Sequence, residues 1–239
     1  FITFNFNTPD PIKRKWFRDV NFRKAISFAF DRGSVVDNML NGLGEGVFSD
    51  QIPGSKYYDT EYIKSLKFKY SLREAKKLLK QGGFEQKADG KLYDPEGNQV
   101  VFNLETNIST SAWVEIGNIL KDSLEKVGIT VNFKPISFNT LVNKLTVSGD
   151  WESIIIRLTA GPDPASGENV WKLDGGLHFW NYSPEVKEFV DANDYFVPDY
   201  EKRIDEIMVQ QKTILDDDEL TALLKEYNNI ITENQIVIY

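Results

Sequence analysis

The sequence runs to 239 residues, 41% of them hydrophobic, and its 28 basic and 36 acidic side chains leave a formal charge of −8. That apolar content excludes intrinsic disorder, and the absence of a basic stripe interleaved with aromatics excludes nucleic-acid binding. No apolar run approaches the roughly 20 residues needed to cross a bilayer, and with no cysteine there are no thiolate nucleophiles, disulfides or thiolate metal sites.

In chain order, Ile2, Phe4 and Phe6 alternate with Thr3 and Asn5, which predicts a half-buried strand. After a polar stretch, Phe22, Ala25, Ile26, Ala29 and Phe30 fall at helical spacing behind Asp19, an N-cap candidate. Asp31 opens a second, short helix carrying Val35, Val36, Met39 and Leu40, and Gly42 is placed to end it in the left-handed conformation. From Gly42 to Tyr70 the pattern reads as loop. SLRE at 71–74 is a capping-box sequence, starting a helix that runs through Leu78 and Leu79 and stops at Gly82 and Gly83. The turn signals DG and PEGN in ADGKLYDPEGNQVVFNLET predict a hairpin.

Two helix–strand repeats follow. Trp113, Ile116, Leu120, Leu124 and Val127 mark a helix face that Gly128 ends, and ITVNFKPI is a strand. Leu141, Val142 and Leu145 mark a shorter helix before the apolar run SIIIRL (153–158), which fits a strand covered on both faces. Ile204, Ile207, Met208 and Leu215 line one closing helix, and Leu220, Leu223, Leu224, Tyr227, Ile230 and Ile231 line the last. The DDDE run (216–219) stands at its N-terminus, where the helix dipole favours anions. The alternation predicts a single α/β unit with a mixed sheet and crossover helices. The chain opens without an initiating Met or a basic leader segment and closes on the strand-like IVIY, so both ends read as cuts through a longer protein.

Catalytic patterns fail on counting. His178 is the single histidine, no G-x-S-x-G elbow accompanies it, and no P-loop or G-x-G-x-x-G follows a predicted strand. One histidine cannot build a structural zinc site, and Asp216–Asp218 lacks the alternating spacing of a calcium loop. The expectation is a non-enzyme without cofactor or metal; a carboxylate-only hydrolase is the rival that residue counts still permit.

The segment 159–184, TAGPDPASGENVWKLDGGLHFWNYSP, follows the buried strand, and open α/β sheets bind ligands at the carboxyl ends of their strands. Its aromatics stand among amides and carboxylates, a mixture that suits a solute cleft. Asp163, Asn169, Trp171, His178 and Trp180 are the expected ligand-binding residues. The alternative is that the aromatics are core residues under a long loop, with Asp and Asn making its turns.

Four segments resemble the family 5 extracellular solute-binding proteins, which include oligopeptide-, dipeptide- and nickel-binding components of ABC importers. FRKAISFAFDRGSVVDNMLNGLG (22–44) is similar to the family's V-R-x-A-[IL]-x-x-A-I-D-R block, and YSLREAKKLLKQGGF (70–84) to its Y-D-P-x-x-A-K-x-L-L-x-x-A-G-F block. Residues 114–155 resemble the helix–strand–helix–strand that follows, and Tyr200–Tyr239 the closing helix pair. The resemblance implies a periplasmic-binding-protein type II-like lobe, inserted between two halves of a second lobe, with both ends near the hinge. It implies a monomer in the periplasm or outside the cell, lipid-anchored through an upstream segment. That monomer captures peptides, or short oligosaccharides, and delivers them to an ABC transporter permease. Peptide-binding members often carry an acid that pairs with the ligand's amino terminus; Gly161 stands at that position here, with Asp163 two residues later.

Overall fold

The computed structural model describes residues 1–158 and 164–239. Strand β1 (Ile2–Phe4) is followed by α1 (Pro11–Arg18), α2 (Val20–Ala29) and α3 (Arg32–Leu40). Each of these helices is started by an aspartate: Asp10 accepts from the backbone N–H groups of Ile12 and Lys13, Asp19 from those of Asn21 and Phe22, and Asp31 from that of Ser34. Helix α1 lies where only a polar stretch was expected; Asp-Pro at 10–11, with proline at the first helical position, was its available signal. The left-handed residue that ends α3 is Asn41, with Gly42 also at positive φ.

The stretch read as loop contains a short helix, α4 (Thr60–Ser65), capped by Asp59. Only half of the expected capping box forms at α5 (Leu72–Gln81). Ser71 Oγ accepts from Glu74 N, but Ser71 N donates to Phe28 O and the Glu74 carboxylate turns to Arg73 and Lys77. A hairpin forms from β2 (Glu85–Gln86) and β3 (Leu92–Tyr93), whereas the following β4 (Val101–Asn107) leaves it for the main sheet.

Two right-length crossovers complete that sheet: α6 (Ser111–Glu125) leads to β5 (Thr130–Ile136), and α7 (Phe138–Asn143), continued by a π-helical turn at Lys144–Ser148, leads to β6 (Ser153–Ile155). A 3-10 turn at Pro164–Gly167 runs into α8 (Glu168–Trp171). The chain then closes with α9 (Asp199–Gln210), α10 (Asp217–Asn234) and β7 (Val237–Ile238).

The five-stranded sheet has the order β5-β4-β6-β1-β7. Strand β4 is parallel to β5 and β6, and β1 is antiparallel to both β6 and β7. The polar residues of β1 and of the turn after it do not face water: Thr3 is buried with its hydroxyl on Ile236 O, and Asn5 is buried with its amide on Gly149 O and Trp151 O. β6 and β7 pair with both edges of the strand, packing above and below the sheet buries Ile2, Thr3 and Phe4, and backbone carbonyls satisfy the polar side chains. Among the described residues, no helix is long and apolar enough to cross a membrane.

Candidate functional site

The strand directions bring four carboxyl ends and one amino end to a single edge of the sheet. Registers pair Ile2 with Ile155 and Ile238, Thr106 with Ile155, and Asn107 with Ile136. That edge therefore carries Phe1, the residues after Asn107 and Ile136, the extension of β6 through Arg157, and Tyr239. A cleft of about 310 Å³ opens there, within the size range of small-molecule sites. Val35, Val36 and Leu40 of α3 form one wall, and Trp113 and Ile116 of α6 another. Ile156 and Arg157, Glu45 to Val47, Phe1 and Tyr239 complete the rim. By contrast, the groove lined by Lys76, Lys80, Phe84 and Gln86 lies beside the β2–β3 hairpin, at the opposite edge.

Arg32 is fixed in the cleft wall. Its guanidinium donates to Ser27 O, Ser27 Oγ and Tyr239 O, and it lies 4.2 Å from the ring centroid of Phe48 and 4.9 Å from that of Phe30. Only 7% of the residue is exposed and, among the described residues, no aspartate or glutamate pairs with it. Burial accordingly brings its pKa down to about 9. Asp50 braces the same corner by accepting from Tyr239 Oη at 2.6 Å and Tyr227 Oη at 3.2 Å. Burial pushes both phenols well above the usual tyrosine range.

The loop leaving the cleft rim has a different construction from the one expected. Trp171, His178 and Trp180 are 6%, 1% and 0% exposed, so they lie inside the packing rather than on a concave surface. Their anchor is Glu201, a buried carboxylate on α9. Its Oε1 accepts from Trp180 Nε1 at 2.9 Å and its Oε2 from Asn181 Nδ2 at 2.6 Å. His178 Nδ1 donates to Val170 O at 2.9 Å, and its Nε2 lies 3.8 Å from Glu201 Oε1. Trp180 packs on Trp171 and His178, with centroids 5.0 Å and 4.6 Å apart, and its carbonyl accepts from Phe6 N. The side chain of Asn169 is exposed but staples the turn by accepting from Gly176 N at 2.8 Å. Asp163 lies outside the described residues. Among the described residues, no group of three His, Cys, Asp or Glu side chains could hold a metal ion.

Residues 1–176 match the description of the bacterial extracellular solute-binding proteins, family 5. The chain belongs to this family. A probable ABC transporter-binding protein of Deinococcus radiodurans is 34% identical over 200 residues, covering 78% of this chain and 33% of that protein. Among solved structures, oligopeptide-binding AppA of Bacillus subtilis, in complex with a nonapeptide, superposes with a TM-score of 0.76 at 23% identity, covering 98% of this chain and 42% of AppA. MelB of Agrobacterium fabrum, in complex with stachyose, gives 0.78 at 23% identity, covering 99% of this chain and 36% of MelB. The fold is that of periplasmic-binding-protein type II oligopeptide-binding proteins, and this family 5 chain spans a third of the length of the curated relative it matches.

Sequence reasoning missed the cleft residues. Trp113 reads only as part of a helix face, and nothing in the pattern singles out Arg32. A tryptophan in the first turn of a crossover helix, just past a strand's carboxyl end, is the signal that could have found the first. Nothing local marks Arg32 as buried.

Proposed function

We propose that the chain is one lobe of the substrate-binding component of an ABC importer, and that it captures short peptides between this lobe and a second one. The observation that carries the reading is the cleft at the carboxyl edge of the sheet, where apolar and aromatic walls meet a few polar groups. Family membership and a relative named as an ABC transporter-binding protein support the transport role. The nonapeptide complex of AppA supports the ligand class.

In this reading the lobe is inserted into the other lobe through Phe1 and Tyr239, which lie together at the cleft. A ligand touching both lobes stabilises the closed state, and a permease receives it from the closed protein. The protein works as a monomer outside the cytoplasm, held near the membrane by a lipid anchor. Asp163 and Asn169 are the loop's ligand-facing candidates, while Trp171, His178 and Trp180 act by holding the loop against α9. Binding by this lobe alone is weak, since half of the contacts are missing.

The test is a thermal-shift panel of short peptides and neutral oligosaccharides on the full-length protein. A peptide at 100 times its dissociation constant stabilises by about 2.7 kcal/mol. Shifts with sugars and none with any peptide would replace the peptide reading with a saccharide one. Turnover of a peptide or glycoside would replace it with a hydrolase.

A further inference from the structure

Eight basic and three acidic side chains stand between Lys67 and Lys91, an excess of five positive charges within a chain whose total is −8. The fold gathers them on the outside of α5 and of the β2–β3 hairpin. Helix α5 turns Ala75 and Leu79 inward, so Arg73, Lys76, Lys77 and Lys80, at helical spacing, share its exposed face. Lys76 and Lys80 also line the groove against the hairpin, where Lys87 stands 3.9 Å over the Tyr93 ring. Glu74 occupies Arg73 and Lys77, and Asp89 accepts from Tyr93 Oη and Lys91 N. Lys67, Lys69, Lys76 and Lys80 are exposed, and their ammonium groups have no hydrogen bond or ion pair among the described residues.

We propose that this face docks on an anionic phospholipid bilayer. Its cations spread along a helix about 15 Å long instead of converging on one point, and nearly all are lysines, point charges without the fork that grips a single phosphate. Such a layout matches a plane of distributed phosphate charge. No aromatic stands between them on α5, so nucleic-acid bases would find no stacking platform there. The lysine stems lie along the protein while their ammonium groups reach outward, and each cation held near an anionic surface multiplies the affinity roughly fivefold. The acidic remainder of the chain is repelled by the same surface, so charge selects one orientation. The patch lies at the edge opposite the cleft, and a docked lobe therefore keeps the cleft open to solution. None of this depends on a lipid anchor or on which ligand the cleft takes.

Co-sedimentation of the full-length protein, prepared without any lipid modification, with phospholipid vesicles tests this. Vesicles of phosphatidylcholine mixed with phosphatidylglycerol should carry the protein down at low ionic strength and release it as salt rises, whereas phosphatidylcholine alone should leave it in solution. Replacing Lys69, Lys76 and Lys80 together by glutamine should weaken binding at least about tenfold. The same change at Lys121, Lys134 and Lys202, exposed lysines elsewhere on the chain, removes equal charge and should weaken it less than about twofold. Unchanged melting of both triple variants separates these losses from a folding defect. Equal sedimentation with neutral and mixed vesicles would overturn the proposal, as would equal losses in the two triple variants. Binding to soluble polyphosphate but to no vesicle would replace the bilayer with a phosphate polymer, and salt-sensitive self-association without binding to vesicles would replace it with a second copy of the chain. Peptide is absent from every arm, so the fate of the peptide reading leaves this result untouched.

Discussion

Replacing Trp180 by alanine should destabilise the fold far more than any ligand-facing substitution would. The indole is wholly buried, touches Trp171, His178 and Phe179, and donates to the buried carboxylate of Glu201. Truncating a buried tryptophan to alanine costs about 3–5 kcal/mol through lost transfer energy and the cavity left behind. Removing one donor from a buried carboxylate adds about 1–3 kcal/mol; Asn181 still serves the other oxygen, which keeps this part at the low end. The expected loss is about 4–6 kcal/mol, or a fall in melting temperature on the order of 8–24 °C for a chain of this size. Urea unfolding followed by circular dichroism measures it, and Trp180→Phe, which keeps a ring but loses the N–H, should fall in between. A Trp180→Ala protein that loses less than about 1 kcal/mol while losing ligand affinity would refute this assignment and return the side chain to the binding surface.

Asp216→Ala removes the acceptor for Glu219 N at the start of α10 and should cost about 1 kcal/mol in thermal unfolding. Gly117→Ala, which in an exposed helix would stabilise by about 1 kcal/mol, should instead destabilise by about 1–3 kcal/mol through overpacking, because a β-carbon there would stand 2.2 Å from the Phe133 ring. The Arg203 guanidinium grips Glu226 at 2.6 and 2.9 Å and, through that hydrogen bond, holds its carboxyl below the usual range. The pair's contribution is thus present above the ordinary glutamate pKa and lost as pH falls through the depressed one. Solvent exposure limits it to less than about 1 kcal/mol. The stability gap between wild type and Arg203→Ala, measured by urea titration across the acid range, should accordingly close as the pH drops; a gap constant with pH would contradict the assignment.

The features legible in the sequence are those governed within a few residues. Asp19, Asp31, Ser71 and Asp216 cap the helices they precede because a cap needs only its own side chain and the next turn's N–H groups. The helix–strand order from Trp113 to Ile155 was likewise readable, since apolar periodicity reports local geometry directly, and the block resemblance placed the chain in its family. Position within the assembled layers was not readable. Alternation in β1 suggested one wet face, yet Thr3 is buried with its hydroxyl on Ile236 O, an acceptor 233 residues further along the chain. Aromatic density after β6 suggested a cleft surface, but the side chains are buried, because Glu201 of α9 supplies the acceptor that turns Trp180 and Asn181 inward. The cleft itself, with Arg32 and Arg157 on walls contributed by α3, α6 and the strand ends, exists only once those elements meet. Caps and periodicity depend on neighbours along the chain, whereas burial and convergence depend on neighbours in space, which tertiary packing alone selects.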